Sequence, residues 1–144
     1  MRPQLISSAL AILLTILGVG CTRPAGSGSV KFKQYFLKGE QLYIQHCSNC
    51  HQKNGTGLAR LYPPLDSSDY MNNHFRDVLC LVKNGKSGEI IVNGINFNQP
   101  MPSFPQLTDI EIAQVATYIY NSWSNQKGIV EIKDVTSALS ECRD

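Results

Sequence analysis

The sequence predicts an all-α domain, three to five helices, with one small β-hairpin late in the chain. Three observations predict it. Residues 34–47 carry a helical apolar stripe, Thr108–Glu111 is a capping box in front of a second such stripe, and Asn93-Gly94 separates two short β-prone runs.

In the first segment, QYFLKGEQLYIQHC, apolar residues fall at Phe36, Leu37, Tyr43, Ile44 and Cys47, which is helical spacing and not alternation. Gly39 lies inside it at a cost of roughly 1 kcal/mol against Ala, a reason to expect a second helix in close approach. Residues 52–69 hold Gly55, Gly57, Pro63, Pro64 and Asp66 and read as a loop. Asn72 and Asn73 are expected to cap a helix containing Phe75, Val78, Leu79 and Val82, which Gly85 ends. The hairpin follows in EIIVNGINF, and NQPMPSFP behind it has three prolines and cannot be a helix interior. The capping box then opens a helix with Ile112, Val115, Ala116, Ile119, Tyr120 and Trp123 at core spacing. Ordered loops this long in a small domain are usually held by something other than their own core.

The N-terminus speaks to compartment. Arg2 precedes a short apolar run that ends in small residues at Cys21, the pattern of an export signal and short for a membrane span. Gly18-Val19-Gly20-Cys21 resembles a bacterial lipoprotein cleavage site, with lipid expected on Cys21; an ordinary signal peptide or an uncleaved anchor is the alternative. TRPAGSGSV behind it reads as a flexible linker. The expected organisation is a signal peptide over 1–20, the lipidated Cys and linker over 21–33, a domain over 34–125 and a C-terminal tail over 126–144. The chain is then exported and lipid-anchored to a bacterial membrane, its domain facing the periplasm or the cell exterior. A hydrophobic fraction of 42% supports a packed core, and a formal charge of +2 without a basic run gives no case for nucleic acid.

The chemistry lies in Cys47-Ser48-Asn49-Cys50-His51. Cys-x-x-Cys-His is the attachment signal for c-type haem. On one helical turn the two thiols share a face and reach two vinyl groups on one porphyrin edge, and the next residue presents its imidazole to the iron. The competing chemistries fare worse. A zinc site needs a second ligand pair at similar spacing, and a thioredoxin-like dithiol needs a βαβ context. One haem c, held by two thioethers from Cys47 and Cys50, is therefore expected, with His51 as one axial ligand. For the other, Met101, Met71, His46 and His74 are candidates. His46 is expected to face solvent, Met71 to fill a gap and His74 to lie at the surface. Met101 is favoured, because Pro100 and Pro102 stiffen the loop that carries it.

These residues resemble a class I cytochrome c over about residues 36–124. Gly39 and Tyr43 match the glycine and aromatic of that family's first helix, which pack on the last helix, where Tyr118 is the matching aromatic. The Asn-Gly hairpin leading into Met-Pro-x-Phe, and YIYNSW at the end, look like a bacterial subgroup that serves dehydrogenases and oxidases. The resemblance implies that a proline carbonyl, Pro63 or Pro64, accepts the ring N–H of His51. It departs at Gln52, where relatives often have a small residue, at Cys80, where many have an aliphatic one, and in the tail. The implied function is electron transfer, the iron cycling between Fe(II) and Fe(III) with His/Met ligation and no catalysis. A cytochrome subunit of a larger dehydrogenase, oxidase or reductase is the alternative, and a haem enzyme or gas sensor stands behind it. The implied partners are a redox donor and acceptor and, through the anchor, a membrane, with no small-molecule substrate. Phe75, Leu79, Leu58, Ile91, Phe97 and Phe104 are candidates for a dry wall around the ring. Cys80 and Cys142 either pair in a disulfide that pins the tail, or stay a small buried residue and a free or intermolecular thiol.

Overall fold

The computed structural model describes residues 27–142; the expected signal peptide and Cys21 lie outside them. Six helices and one hairpin follow in order among the described residues: α1 (Ser27–His46), α2 (Ser48–His51), α3 (Asp69–Asn73), α4 (Phe75–Asn84), β1 (Ile90–Val92), β2 (Ile95–Phe97), α5 (Asp109–Ile119) and α6 (Ile132–Leu139). The fold is mostly helical with a two-stranded antiparallel sheet, as expected, although the described residues hold six helices where three to five were expected. No helix among the described residues is long and apolar enough to cross a membrane.

The packing of α1 on α5 forms the spine. Gly39 makes it possible: a Cβ there would fall on the carbonyl oxygen of Gln114, 2.6 Å from the carbonyl carbon and 2.8 Å from Tyr118 Cβ. Two helix backbones approach this closely only where a side chain is missing. Around the crossing, the rings of Tyr43 and Phe36 lie 5.3 and 5.1 Å from Tyr118. Such tilted aromatic pairs contribute about 0.5–1.5 kcal/mol each beyond their buried area. Tyr43, Ile112, Val115 and Ala116 are essentially solvent-free between the two helices.

The capping box at α5 forms as read: Thr108 Oγ1 accepts from the Glu111 N–H, and the Glu111 carboxylate accepts from the Thr108 N–H. The hairpin pairs Ile90 with Phe97 and Val92 with Ile95. Asn93 and Gly94 both take the positive φ that its two-residue turn demands. Asn93 and Asp69 exchange two backbone-to-side-chain hydrogen bonds, which fasten the turn to α3.

Other expectations are corrected. Asn72 and Asn73 do not cap α4: they lie inside α3, whose cap is Ser68, and α4 starts from His74 without a side-chain cap. Trp123 lies outside α5, which ends at Ile119, and sits in the following turn at φ 58°. Residues 27–33, expected in the linker, form the first turns of α1.

The tail is part of the folded unit. Asn121 organises its start, donating to the carbonyls of Thr117 and Gly128 and accepting from the Lys127 and Gly128 N–H groups. Val130, Val135 and Ala138 are then buried as α6 packs against α4 and α5. Arg76 bonds the Ser137 carbonyl and pairs with Glu141, and Lys31 pairs with Glu131. Cys80 and Cys142 are joined in a disulfide across 62 residues, with Cα atoms 5.7 Å apart. Cross-linking a loop of this length stabilises by on the order of 4 kcal/mol if the unfolded chain sets the effect. Cys142→Ser is therefore expected to lower the guanidinium unfolding free energy by a few kcal/mol, on the order of that estimate, and to detach α6 first. Amide exchange over 130–139 in the variant checks the second point.

Candidate functional site

One apolar cavity runs between α1, the loop after α2, α4, the hairpin and α5. Its free space, counted out through the mouth into open solvent, is about 1070 Å³. Val78, Val82, Val92, Phe97, Val115 and Ile119 form much of its wall. Cys47, Cys50, His51 and Met101 all reach this cavity, so the structure brings the four sequence candidates together.

Cys47 ends α1 and starts α2, and the N–H groups of Cys50 and His51 both bond its carbonyl. Within that single turn Cys47 and Cys50 are both unbridged, while the other described thiols are paired. Burial, with Cys50 beside it, pushes the Cys47 thiol up to about 12. A dithiol oxidoreductase needs the opposite, a thiolate favoured near neutral pH. Nor do three His, Cys, Asp or Glu side chains converge as a metal cluster among the described residues. An apolar cavity with two unbridged thiols and a buried imidazole at its wall fits the donor set of haem c.

His51 is buried, and its Nδ1 lies 3.0 Å from the carbonyl oxygen of Pro63. A carbonyl can only accept, so Nδ1 carries the proton and Nε2 keeps its lone pair. Burial also lowers the imidazole's pKa, outweighing the raising effect of the Pro63 bond, and so favours the neutral ring. Of the two prolines considered, Pro63 makes this contact; Pro64 only lines the cavity.

The loop carrying Pro63 is wired from several sides. Gly57 donates to the His51 carbonyl, and a Cβ on it would fall on the Tyr62 carbonyl oxygen, 2.7 Å from that of Pro63. Gly55 takes both the Leu65 and Asp66 N–H groups on its carbonyl, and the Trp123 ring packs where its Cβ would be. Trp123 Nε1 donates to the Lys53 carbonyl, and Asp66 accepts from the Ser124 N–H and hydroxyl.

Met101 is held by a β-bridge to Lys86: each N–H donates to the other's carbonyl at 2.9 Å. Gly85 permits the bridge, since its φ is +76° and a Cβ would lie 2.6 Å from the Met101 carbonyl oxygen. The sequence offered Gly85 only as a helix stop; the bridge joins residues 15 positions apart and leaves no local signal.

The other ligand candidates sort differently. Met71 is buried in the cavity wall, and its carbonyl accepts from the Tyr120 hydroxyl. His74 is exposed beside Asp77. His46 does not face solvent: it is half-buried, lines the cavity and lies 5.3 Å from the Phe104 ring. Of the expected dry wall, Phe97 and Phe104 line the cavity. Leu58 and Ile91 are exposed at 44% and 64%, Phe75 packs on Tyr120, and Leu79 is buried in the core behind.

Residues 36–119 match the family described as cytochrome C oxidase, cbb3-type, subunit III. The chain belongs to the class I cytochrome c family. A cytochrome c-552 of Thermus thermophilus is 37% identical over 103 residues, spanning 69% of this chain and 78% of that protein. The cytochrome c subunit of a quinone alcohol dehydrogenase from Gluconobacter oxydans is 30% identical over 101 residues, 67% of this chain but 21% of that subunit. This cytochrome c is an electron-transfer protein and not an enzyme, and its family implies haem c.

The cytochrome's departure at Gln52 has a structural consequence. Gln52 ends α2 at φ 62° and ψ 155°, a region that glycine alone enters without strain. Its carbonyl accepts from the buried Tyr43 hydroxyl at 2.6 Å, which holds the backbone there. Such strain costs about 1–3 kcal/mol, against about 0.5–1 kcal/mol for the extra freedom of glycine when unfolded. Gln52→Gly is thus expected to raise stability by about 1 kcal/mol, seen as a higher denaturant midpoint at unchanged slope.

Proposed function

We propose that the cytochrome carries a single haem c, joined through thioethers at Cys47 and Cys50 and ligated by His51 and Met101, and that it moves one electron at a time between two protein partners. The observation that carries this reading is the His51–Pro63 hydrogen bond inside the cavity that both thiols and Met101 also line. Bound there, the group supplies a metal that gains or loses one electron. Pro63 fixes the imidazole tautomer and its orientation and strengthens its donor nitrogen. Met101 offers a soft thioether, which favours the ferrous state and leaves no open position for a small molecule. The apolar wall disfavours the more highly charged oxidised form and so acts in the same direction.

The protein is best tested as purified after expression with haem-maturation machinery. Acid–acetone extraction is expected to leave all colour with the polypeptide, at one haem and one iron per chain. Carbon monoxide is expected to leave the ferrous spectrum unchanged. Extractable haem, or a full carbon monoxide shift, contradicts the reading and favours a sensor or enzyme.

The alcohol dehydrogenase relatives support a second form of the same function, a cytochrome subunit within a larger oxidoreductase. Co-purification from native membranes separates it from a free carrier. Export and lipidation at Cys21 are part of the proposal and rest on the leader and Gly18-Val19-Gly20-Cys21. The mass of the mature N-terminus, in wild type and Cys21→Ala, tests them.

A further inference from the structure

Pro100, Pro102 and Pro105 deprive the loop carrying Met101 of three N–H donors, and the turn from the Leu107 N–H to the Phe104 carbonyl braces only its far end. Its partners come from the end of α4. The Lys86 bridge holds Met101 itself. Lys83 holds the stretch behind it: its carbonyl accepts from the Phe104 N–H at 3.1 Å, and its ammonium donates to the Pro105 and Leu107 carbonyls at 2.9 and 2.7 Å. A lysine in the last turn of a helix can serve that helix's own free carbonyls. Here the half-buried side chain crosses instead to a neighbouring segment.

We propose that Lys83 is a positioning residue for the Met101 ligand, its ammonium clamping two loop carbonyls so that the loop cannot swing the thioether away from the metal. This rests on the assignment of Met101 as ligand. The clamp and the bridge lie on either side of Gly85 and tie the loop at two points, to the last turn of α4 and to the segment just beyond it. Hydrogen bonds from a charged donor are the stronger kind, so losing two should shift an opening equilibrium measurably.

Imidazole is the probe, because it occupies the ferric metal only when the Met101 sulfur leaves. Lys83→Met keeps the apolar stem and removes the donors; Lys83→Arg keeps donors. Imidazole is expected to bind Lys83→Met about tenfold tighter than wild type or more, tenfold being the scale of losing one hydrogen bond from a charged donor. Lys83→Arg should return most of that difference. If Lys83→Met binds within twofold of wild type, even with a lowered denaturant midpoint, Lys83 is merely structural and the proposal falls. If Lys83→Met does not mature, Lys83→Leu is judged by the same criterion. Met101→Ala, titrated alongside, tests the underlying assignment by itself. It should bind imidazole far more tightly than wild type, and equal affinity overturns the ligand and the clamp together.

Discussion

Gly39→Ala is expected to destabilise the protein by about 2 kcal/mol or more, although alanine is the better helix former. Helix propensity alone favours the substitution by about 1 kcal/mol. Against it stands a methyl group placed on the Gln114 carbonyl and against Tyr118 Cβ. Overpacking of this kind costs about 1–3 kcal/mol where side chains yield, and more where they cannot. The first obstacle here is the backbone of α5, so the upper end applies and the clash wins. The damage should extend to the site. Tyr43, His46 and Cys47 of the α1 side and Val115 and Ile119 of α5 line the same cavity, so forcing the helices apart opens it. A reduced denaturant midpoint, with a lower yield of haem-loaded protein, is the expected pair of results. An unchanged midpoint shows that the crossing is looser than the contact distances imply.

Met101→Ala should have the largest effect on function. The variant is expected to keep its covalent haem, because Cys47, Cys50 and His51 are anchored on α2 and the Pro63 loop, independent of the Lys86 bridge. It should lose the sulfur ligand, bind carbon monoxide in the ferrous state and fall in potential. Axial ligation commands roughly 0.8 V across haem proteins, so a drop on the order of 0.1 V or more is expected. Met71 is not expected to replace the lost sulfur: α3 and the Tyr120 hydrogen bond hold its backbone in the wall. Spectroelectrochemical titration of wild type and variant checks the shift.

The fold was legible where local chemistry and tertiary packing agree. The Thr108 capping box, the Asn93-Gly94 turn and the stripe on α1 state their structure within a few residues, and each forms. Cys47, Cys50 and His51 are equally legible, because one helical turn fixes their relation. The errors arise where distant contacts decide. Trp123 has helical spacing, but its ring fills the space over Gly55 and its indole bonds Lys53, which draws it out of α5. His46 looks like a surface residue beside the motif, yet the Met101 loop brings Phe104 over it. The tail reads as an appendage because its few apolar residues bury only against α4 and α5, with the disulfide closing the contact. Gly85 and Lys83 carry no local mark of their bonds to the Met101 loop.

The visible and near-infrared spectrum of the purified wild-type protein in both redox states bears most directly on this account. Sharp low-spin bands in the ferrous form, with a sulfur-to-iron charge-transfer band in the ferric form, are the expected result. A high-spin or bis-histidine spectrum, or a colourless protein despite active maturation, contradicts it.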